Sequence, residues 1–314
     1  MLSRYFIFHE GGTYMANTQD SSTDSTGYEG YVLPAENAAE MARLMIQDRL
    51  ITQAMGGVAP ELSSFSQVHR ALDVACGPGG WLLDLVTQYP HVQGVGIDVS
   101  QLMIEYASSL ARTQGLAGVQ FHVMNATQPL NFPDSTFDLV NGRILVGFLF
   151  KHHWPKLLAE CARITRPGGM LRLTEAEWGF TTSPALDTLM NFLALALYRA
   201  GHSFSPHGRT IGTANVLRLL MRQAGYQNIQ SKAYAVDYSA GTEAHESNMQ
   251  NMLIVFKLFQ PFFIQIKIAT QEELDHLHQQ MEEEMQAKDF CAVDYFLTVW
   301  GERPIDRASL KKAN

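Results

Sequence analysis

The chain is poor in cysteine, in charge and in basic residues. Its 314 residues hold only three cysteines, Cys76, Cys161 and Cys291, whose odd number and wide spacing follow no metal-ligand pattern. We therefore expect free thiols in a reducing compartment, which excludes a disulfide-stapled secreted scaffold. Only 17% of the residues are charged, and 31 acids against 23 Lys and Arg give a net charge of −8. This balance disfavours a nucleic-acid partner, whose phosphates demand positive charge.

Long uninterrupted apolar runs are also missing. The most apolar stretch, residues 252–264, is interrupted by Lys257, Gln260 and Pro261, and we expect the proline to break a helix there. The stretch therefore predicts no membrane span. The first 14 residues lack an apolar core and carry Glu10, so they do not fit a secretory signal. These features favour a cytoplasmic protein.

The N-terminal part changes from polar to helical in character. Residues 1–27 are rich in Ser and Thr and predict a disordered leader, within which Met15 offers a second start. A helix is predicted over residues 36–55, in which the apolar residues Ala39, Ala42, Met45, Ile51 and Met55 recur at roughly helical spacing. Charged and amide side chains fill the positions between them, which predicts a solvated opposite face.

A glycine turn after the first predicted strand is the most informative motif. An apolar strand over residues 70–75 runs into Cys-Gly-Pro-Gly-Gly at 76–80, and an apolar helix follows. Strand, glycine turn and helix form a nucleotide site in open α/β sheets. The third glycine of a dinucleotide fingerprint is replaced by Leu82, which disfavours a nicotinamide-dependent oxidoreductase. Asp73, just before the turn, suits a ligand with a cationic end better than a pyrophosphate.

A second acid completes the pattern. Asp98 ends the next predicted strand, where a carboxylate can accept hydrogen bonds from both hydroxyls of a ribose. Asp73-x-x-x-Gly77-x-Gly79 followed by Asp98 resembles the motif of class I S-adenosylmethionine-dependent methyltransferases, although Ala75 stands where glycine is commoner in that family. The alternative is a glycine turn of another α/β fold.

Further motifs follow in the order that this family shows. Asn125 ends the third strand, where relatives hold the adenine amine, and its carbonyl can accept that bond. Asn141 and Arg143 end the fourth strand, which faces the methionine part of the cofactor in relatives. Arg-Pro-Gly-Gly at 166–169 is expected to stop a helix before the fifth strand. The resemblance covers residues 65–180.

The resemblance implies S-adenosyl-L-methionine as the cofactor. It assigns to the cofactor Asp73, Ala75, Gly77, Pro78, Gly79, Asp98, Val99, Asn125, Ala126, Asn141 and Arg143. We also expect that a side chain at Gly79 would fill the place of the ligand.

Alternating strands and helices predict an α/β fold with a Rossmann-like, doubly wound, mostly parallel sheet. The resemblance adds an antiparallel last strand, and the remaining segments predict helical N-terminal and inserted lid elements. The expected divisions are a leader at 1–27, a helical cap at 28–64, the cofactor-binding core at 65–180, the rest of the sheet at 181–303 with insertions at about 183–224 and 242–289, and a tail at 304–314.

The insertion at 242–289 is more apolar than a solvated loop. We interpret it as a lid that places an aromatic wall over a substrate, while a second core layer or a homodimer face stays open as an alternative. The run Glu282-Glu283-Glu284 predicts a solvated helix face. His276 and His278 lie two apart on a predicted helix and do not share a face, so no metal site is expected.

Methyl transfer from a sulfonium is an in-line displacement, for which the protein mainly aligns the reactants and excludes water. A general base is needed only when the attacking atom arrives protonated. The catalytic candidates are His152, His153 and Glu175, and the substrate candidates are Tyr28, Tyr31, Glu177, His202, His207 and Phe256. Each is as well explained by a structural role.

The sequence thus predicts a methyltransferase for a small, largely apolar molecule, a secondary metabolite or a quinone-like ring. Methylation of a peptide or RNA is the first alternative, and a non-catalytic S-adenosylmethionine-binding protein is the second. The attacked atom, O, N or C, cannot be read from the chain.

Overall fold

The computed structural model describes residues 32–33 and 36–305. In these residues a seven-stranded sheet has the order β3-β2-β1-β4-β5-β7-β6. The strands are β1 (Arg70–Val74), β2 (Gln93–Asp98), β3 (Val119–Val123), β4 (Phe137–Arg143), β5 (Thr165–Thr181), β6 (Gln227–Asp237) and β7 (Ala292–Glu302). The first five strands are mutually parallel, and β7 runs antiparallel to both of its neighbours. The predicted α/β, Rossmann-like fold with an antiparallel last strand is confirmed.

Helices cover both faces of the sheet. They are α1 (Ala38–Met55), α2 (Gly80–Gln88), α3 (Gln101–Thr113), α4 (Trp154–Ile164), α5 (Pro184–Ala200), α6 (Leu217–Gln223), α7 (His245–Gln265) and α8 (Gln271–Met285). Because both faces are covered, apolar residues on either face of the central strands are buried: Ala71, Leu72, Leu139 and Val140 are fully buried. None of the described helices is long and apolar enough to cross a membrane.

The helix before Arg-Pro-Gly-Gly ends at Ile164, as expected, but residues 166–169 lie within β5 and not in a separate turn before it. β5 begins at Thr165, opposite Phe137, and after a register shift continues at Met170 opposite Leu139. The shift is held by the end of β7, because the amide of Gly168 donates to the Arg303 carbonyl at 2.8 Å. The proline and glycines therefore form an irregular part of β5.

Pro261 lies inside α7, so the expected helix break is wrong. A proline removes the bond to the carbonyl four residues earlier, which here belongs to Lys257, an exposed residue. The buried rings of Phe259 and Phe263 hold the helix on both sides of the proline. Tertiary packing therefore outweighs the loss of one solvent-side hydrogen bond.

The insertion at 242–289 forms a second core layer. α7 and α8 pack with α5 around buried Phe256, Phe263, Leu274 and Met281. The prediction that Glu282, Glu283 and Glu284 form a solvated helix face is confirmed for the first two, which are exposed. Glu284 instead accepts hydrogen bonds from the Ser183 side chain and the Ala185 amide at the start of α5.

Candidate functional site

The glycine turn sits at the carboxyl end of β1, between β1 and α2. Ala75, Gly77 and Gly79 all have positive φ, at 54°, 51° and 83°. Such angles favour glycine, so the sequence of the turn follows from its backbone path. The amide of Cys76 donates to the Ile97 carbonyl at 2.9 Å, which ties the turn to the end of β2.

Asp98 supports the turn from the neighbouring strand. Its Oδ2 accepts from the Gly77 amide at 2.9 Å, and its Oδ1 accepts from the Ser100 amide at 2.9 Å. Ser100 in turn caps α3 by accepting from the Met103 amide. Asp98 is buried, and its desolvation raises the pKa of the carboxyl. The Val99 amide also bonds to the carboxyl, which has about four acceptor positions in all and so retains capacity for a further donor.

Asp73 is linked to two buried side chains beneath the cavity. Asn141 donates to Asp73 Oδ1 at 2.7 Å and accepts from Arg172 Nη1 at 2.7 Å. Arg172 is completely buried and forms an ion pair with Glu61. Burial raises the pKa of Asp73 to about 7, although the nearby Arg143 guanidinium acts in the opposite direction. Asn141 and Arg172 therefore fix the orientation of the Asp73 carboxyl, which lines the cavity.

One cavity of about 210 Å³ extends from the glycine turn to α5 and α7. Asp73, Gly77 and Asp98 line its turn end. The other end, called here the apolar chamber, is lined mainly by apolar side chains of α5, α7, the turn after β4, the end of β5 and the loop before α6: Val146, Trp178, Leu193, Leu197, Ile211, Met252, Val255 and Phe259.

Helix α1 covers the cavity, and its burial agrees with the predicted apolar face at Ile51 and Met55 but not in the first half of the helix. Glu40 and Arg43 are 3% and 6% exposed, whereas Ala39 and Ala42 face solvent. The two charges are satisfied together, since Arg43 donates from Nε and Nη2 to the two oxygens of Glu40, both at 2.7 Å. Arg43 also donates to Asn251 of α7 at 3.3 Å.

Arg143 is the predicted residue that carries a positive charge to the turn end. It forms an ion pair with Asp48 of α1 and donates to Thr52 at 3.2 Å. Both partners belong to a helix far away in the sequence, so the end of β4 and α1 are joined beside the glycine turn.

The structure brings most predicted cofactor residues to the cavity. Its wall includes Asp73, Ala75, Gly77, Pro78, Asp98 and Arg143. Val99, Ala126 and Asn141 lie outside the wall, with Asn141 buried behind Asp73. Asn125 is exposed, and its carbonyl already accepts from the amide and hydroxyl of Thr127 at 2.9 and 2.8 Å. Its predicted adenine contact stays a prediction.

Gly79 faces the core and not the ligand space, so the expected clash with a ligand is wrong. A Cβ atom at Gly79 would lie 2.8 Å from the Phe121 ring and 2.9 Å from the Ala107 Cβ. Gly77 has no such neighbour, and a Cβ there would lie 3.5 Å from Leu44 of α1.

The catalytic candidates are not brought to the cavity wall. His152 is exposed and His153 half-buried in an aromatic cluster with Phe150. Glu175 is buried, and its Oε1 accepts from the Leu145 amide at 2.7 Å, while burial raises the pKa of the carboxyl to about 8. Glu175 thus holds the turn after β4. The catalytic roles stay predictions without support from this geometry.

Of the substrate candidates within the described residues, Glu177 alone lies in the cavity wall. Its oxygens accept from the amides of Ile211 and Gly212, both at 2.8 Å, so it fixes the loop before α6. The other three lie elsewhere: His202 is buried against the Phe150 ring, His207 is exposed, and Phe256 belongs to the α5–α7 core. Burial lowers the pKa of His202 to about 4. Tyr28 and Tyr31 lie outside the described residues.

Sequence reasoning missed a polar group on the wall of the apolar chamber. Asn248 and Asn251 of α7 and Asp294 of β7 line it, and all three are buried. Asn251 donates to Asn248 at 3.3 Å, and the Asn248 side chain hydrogen-bonds to Asp294. A signal was present, because both asparagines precede the apolar run of α7 with helical spacing.

Comparisons with known proteins agree with this arrangement. The sequence profile of the family described as "Methyltransferase domain" matches residues 71–169. The demethylmenaquinone methyltransferase of Geobacillus kaustophilus is 28% identical over 188 residues, 54% of this chain and 76% of the relative. The fatty-acid O-methyltransferase of Mycolicibacterium smegmatis is 30% identical over 148 residues, 46% of this chain and 48% of the relative.

The fold has known counterparts. Phosphoethanolamine N-methyltransferase 2 of Haemonchus contortus, solved with phosphomonomethylethanolamine and S-adenosylhomocysteine, superposes with a TM-score of 0.50 and 17% identity, over 80% of this chain and 52% of that one. At this identity the likeness concerns the fold alone. The matching domain over residues 71–169, the acid–glycine motif and the strand order support a class I S-adenosylmethionine-dependent methyltransferase.

Proposed function

We propose that the protein transfers the methyl group of S-adenosylmethionine to a small, largely apolar acceptor bound in the apolar chamber. The observation that carries this proposal is the continuity of the cavity. A single space of about 210 Å³ joins the acid-bearing glycine turn to walls formed by residues such as Leu193, Met252 and Val255.

The turn end has the chemistry that the cofactor requires. S-adenosylmethionine supplies an electrophilic methyl group on a sulfonium and carries a ribose and an amino acid. Asp98 would accept from the ribose hydroxyls while its other lone pairs hold Gly77 and Ser100. Asp73, buried beside the turn and anchored by Asn141, would face the cationic part. The residues present therefore fit the cofactor.

The walls of the apolar chamber would orient the acceptor and exclude water. Trp178, Val255 and Phe259 offer apolar surface on opposing elements, so an apolar acceptor would gain free energy by leaving water. Alignment of the attacking atom with the methyl group then supplies most of the rate enhancement. The acceptors named in the relatives, demethylmenaquinone and fatty acids, are apolar in the same sense.

The first test is calorimetric titration of the purified protein with S-adenosylhomocysteine, NADH and NADPH. We expect micromolar binding of S-adenosylhomocysteine alone. Binding of a nicotinamide cofactor instead would overturn the assignment of the glycine turn.

A second test asks where the methyl group goes. The protein is incubated with S-adenosylmethionine labelled in its methyl group and with separate pools of apolar metabolites, peptides and RNA. We expect label in an apolar small molecule. Label in peptide or RNA would support the alternative acceptors, and cofactor binding without transfer to any pool would support a non-catalytic protein.

A further inference from the structure

The wall of the apolar chamber contains an acidic side chain that is neither paired with a cation nor engaged by close backbone amides. Glu40 forms an ion pair with Arg43, and Glu177 accepts from two backbone amides at 2.8 Å. Asp294 is 5% exposed and lines the cavity, and its Oδ1 has two distant donors, the Tyr238 hydroxyl at 3.4 Å and the Gly179 amide at 3.5 Å. These distances lie at the outer limit of hydrogen bonding.

No cation compensates this carboxyl. Among the described residues, Lys, Arg and His form no ion pair with Asp294, and its further partner is the neutral side chain of Asn248. A buried charge without a counter-ion is costly unless donors satisfy it. Desolvation accordingly raises the pKa of Asp294 to about 7. The chamber therefore offers an acidic acceptor that no cation of the described residues neutralises.

The position of Asp294 separates it from the cofactor end. Thr174 of β5 is paired with Arg143, the last residue of β4, and on its other side with Thr298 of β7. Thr298 therefore marks the position along β7 that corresponds to the end of β4. Asp294 lies four residues from Thr298 along β7, a distance of roughly 13 Å at the usual rise of a strand. It therefore stands at the far end of the cavity from the glycine turn.

Asn248 and Asn251 extend the polar surface around Asp294. Asn251 is held by Arg43 at 3.3 Å and by Asn248 at 3.3 Å, and Asn248 connects this row to Asp294. The row crosses from α1 through α7 to β7, with apolar Met252 and Val255 beside it. A polar spot framed by apolar walls is how binding pockets fix the orientation of a mostly apolar ligand.

We propose that Asp294, with Asn248 beside it, binds a hydrogen-bond-donating group, a hydroxyl or a protonated amine, at the end of the apolar acceptor remote from the methylated atom. The inference rests on the proposed function, since it assigns the apolar chamber to the acceptor. It narrows the acceptor class to elongated apolar molecules with a donor at one end. Asp294 is thus a specificity-determining residue that touches the acceptor.

The test uses three probes of one shape: 2-naphthol, 2-naphthylmethylamine and 2-methylnaphthalene. Their binding is measured by calorimetry on the full chain saturated with S-adenosylhomocysteine. We expect naphthol or the amine to bind about tenfold or more tightly than methylnaphthalene, because a hydrogen bond to a charged group is worth that much. Whichever of the two binds better identifies the donor as hydroxyl or amine.

The variant Asp294→Asn keeps the size of the side chain and removes its charge, and we expect it to abolish the preference while S-adenosylhomocysteine still binds. Asp237→Asn, an exposed acid on the neighbouring strand β6, is the matched control and should keep the preference. If Asp294→Asn does not fold, Asn248→Ser tests the same spot and should reduce the preference.

Equal binding of the three probes by the wild type, or a preference that survives in Asp294→Asn, would overturn the assignment of Asp294. The proposed function is tested by a different measurement, the binding of S-adenosylhomocysteine to the wild type. Absence of S-adenosylhomocysteine binding to the wild type would remove the methyltransferase reading, whereas binding of that compound without any probe preference removes only the role of Asp294.

Discussion

Asn141 donates a hydrogen bond of 2.7 Å to Asp73 and accepts one of 2.7 Å from Arg172, so one amide joins an acid of the cavity wall to a buried guanidinium. Replacing Asn141 by Leu keeps the volume and removes both bonds. We expect a loss of about 2–4 kcal/mol in the free energy of unfolding, because two buried groups lose their partner.

Urea denaturation measures this loss, and S-adenosylhomocysteine titration should show weaker binding in Asn141→Leu. Asn191→Leu, an exposed position on α5, is the control and should change stability by less than about 1 kcal/mol. Equal effects at the two sites would show that the buried row contributes nothing.

Asp98 has two roles that substitution can separate. Asp98→Ala removes the proposed ribose acceptor and also the support of the Gly77 amide, so we expect binding of S-adenosylhomocysteine to weaken by about 1.5–3 kcal/mol. Ser100→Ala removes only the cap of α3, with a cost of about 1 kcal/mol in stability and no change in affinity. Unchanged affinity in Asp98→Ala on calorimetric titration would take Asp98 out of the site.

Filling the apolar chamber should block the acceptor and spare the cofactor. Val255 lines the chamber from α7, and Val255→Trp would occupy part of a cavity of about 210 Å³. We expect methyl transfer to fall about tenfold or more, while S-adenosylhomocysteine binds with unchanged affinity. Ile264→Trp, an exposed position on the same helix, is the control. Undiminished transfer in Val255→Trp would place the acceptor elsewhere.

Gly79 should affect stability through packing. In Gly79→Ala the new Cβ would meet the Phe121 ring at 2.8 Å with φ at +83°, and we expect a loss of about 2–4 kcal/mol in unfolding free energy. Gly225→Ala has a similar φ of +88° and nothing within 4 Å, so it isolates the backbone contribution of about 1 kcal/mol. Thermal or urea denaturation of both variants compares the two; equal losses would show that the Phe121 contact costs nothing.

Glu175 gives the stability of the protein a dependence on pH. Burial raises the pKa of its carboxyl from 4.5 to about 8, so the folded chain retains a proton that the unfolded chain has lost. The stabilisation is complete below pH 4.5 and disappears as the pH rises through 8. In Glu175→Gln this titration is absent.

We therefore expect the stability of the wild type relative to Glu175→Gln to decrease between pH 4.5 and 8 by on the order of 3–5 kcal/mol. Denaturant melts at several pH values measure the difference. Glu282→Gln, an exposed acid on α8, should show no such trend. A difference that is constant with pH would mean that Glu175 is ionised in the folded chain.

The sequence reveals the parts of this site that are local in the chain. Asp73, Gly77 and Asp98 could be predicted because a short motif encodes both the turn and its supporting acid. Asp294 could not, since its partners Asn248 and Tyr238 reach it only when β7 enters the sheet and α7 packs over it.

The helical periodicity of α1 gave a wrong prediction of the buried side in the first half of the helix, for a related reason. Its later apolar positions Ile51 and Met55 are buried as predicted, but the first half of the helix packs polar residues on the cavity wall. Glu40 and Arg43 are buried there because they satisfy each other, and a sequence pattern that assumes solvent opposite the apolar face cannot show this. Pro261 is similar, since packing on both sides of it decides the outcome.

Helix α1 borders both ends of the cavity: Leu44 lies beside Gly77, and Arg43 bonds to Asn251 of the apolar chamber. A ligand that fixes α1 at one end lowers the entropy cost of fixing it for a ligand at the other end. Occupancy of the two ends is therefore thermodynamically linked, and each ligand must change the affinity of the other by the same factor.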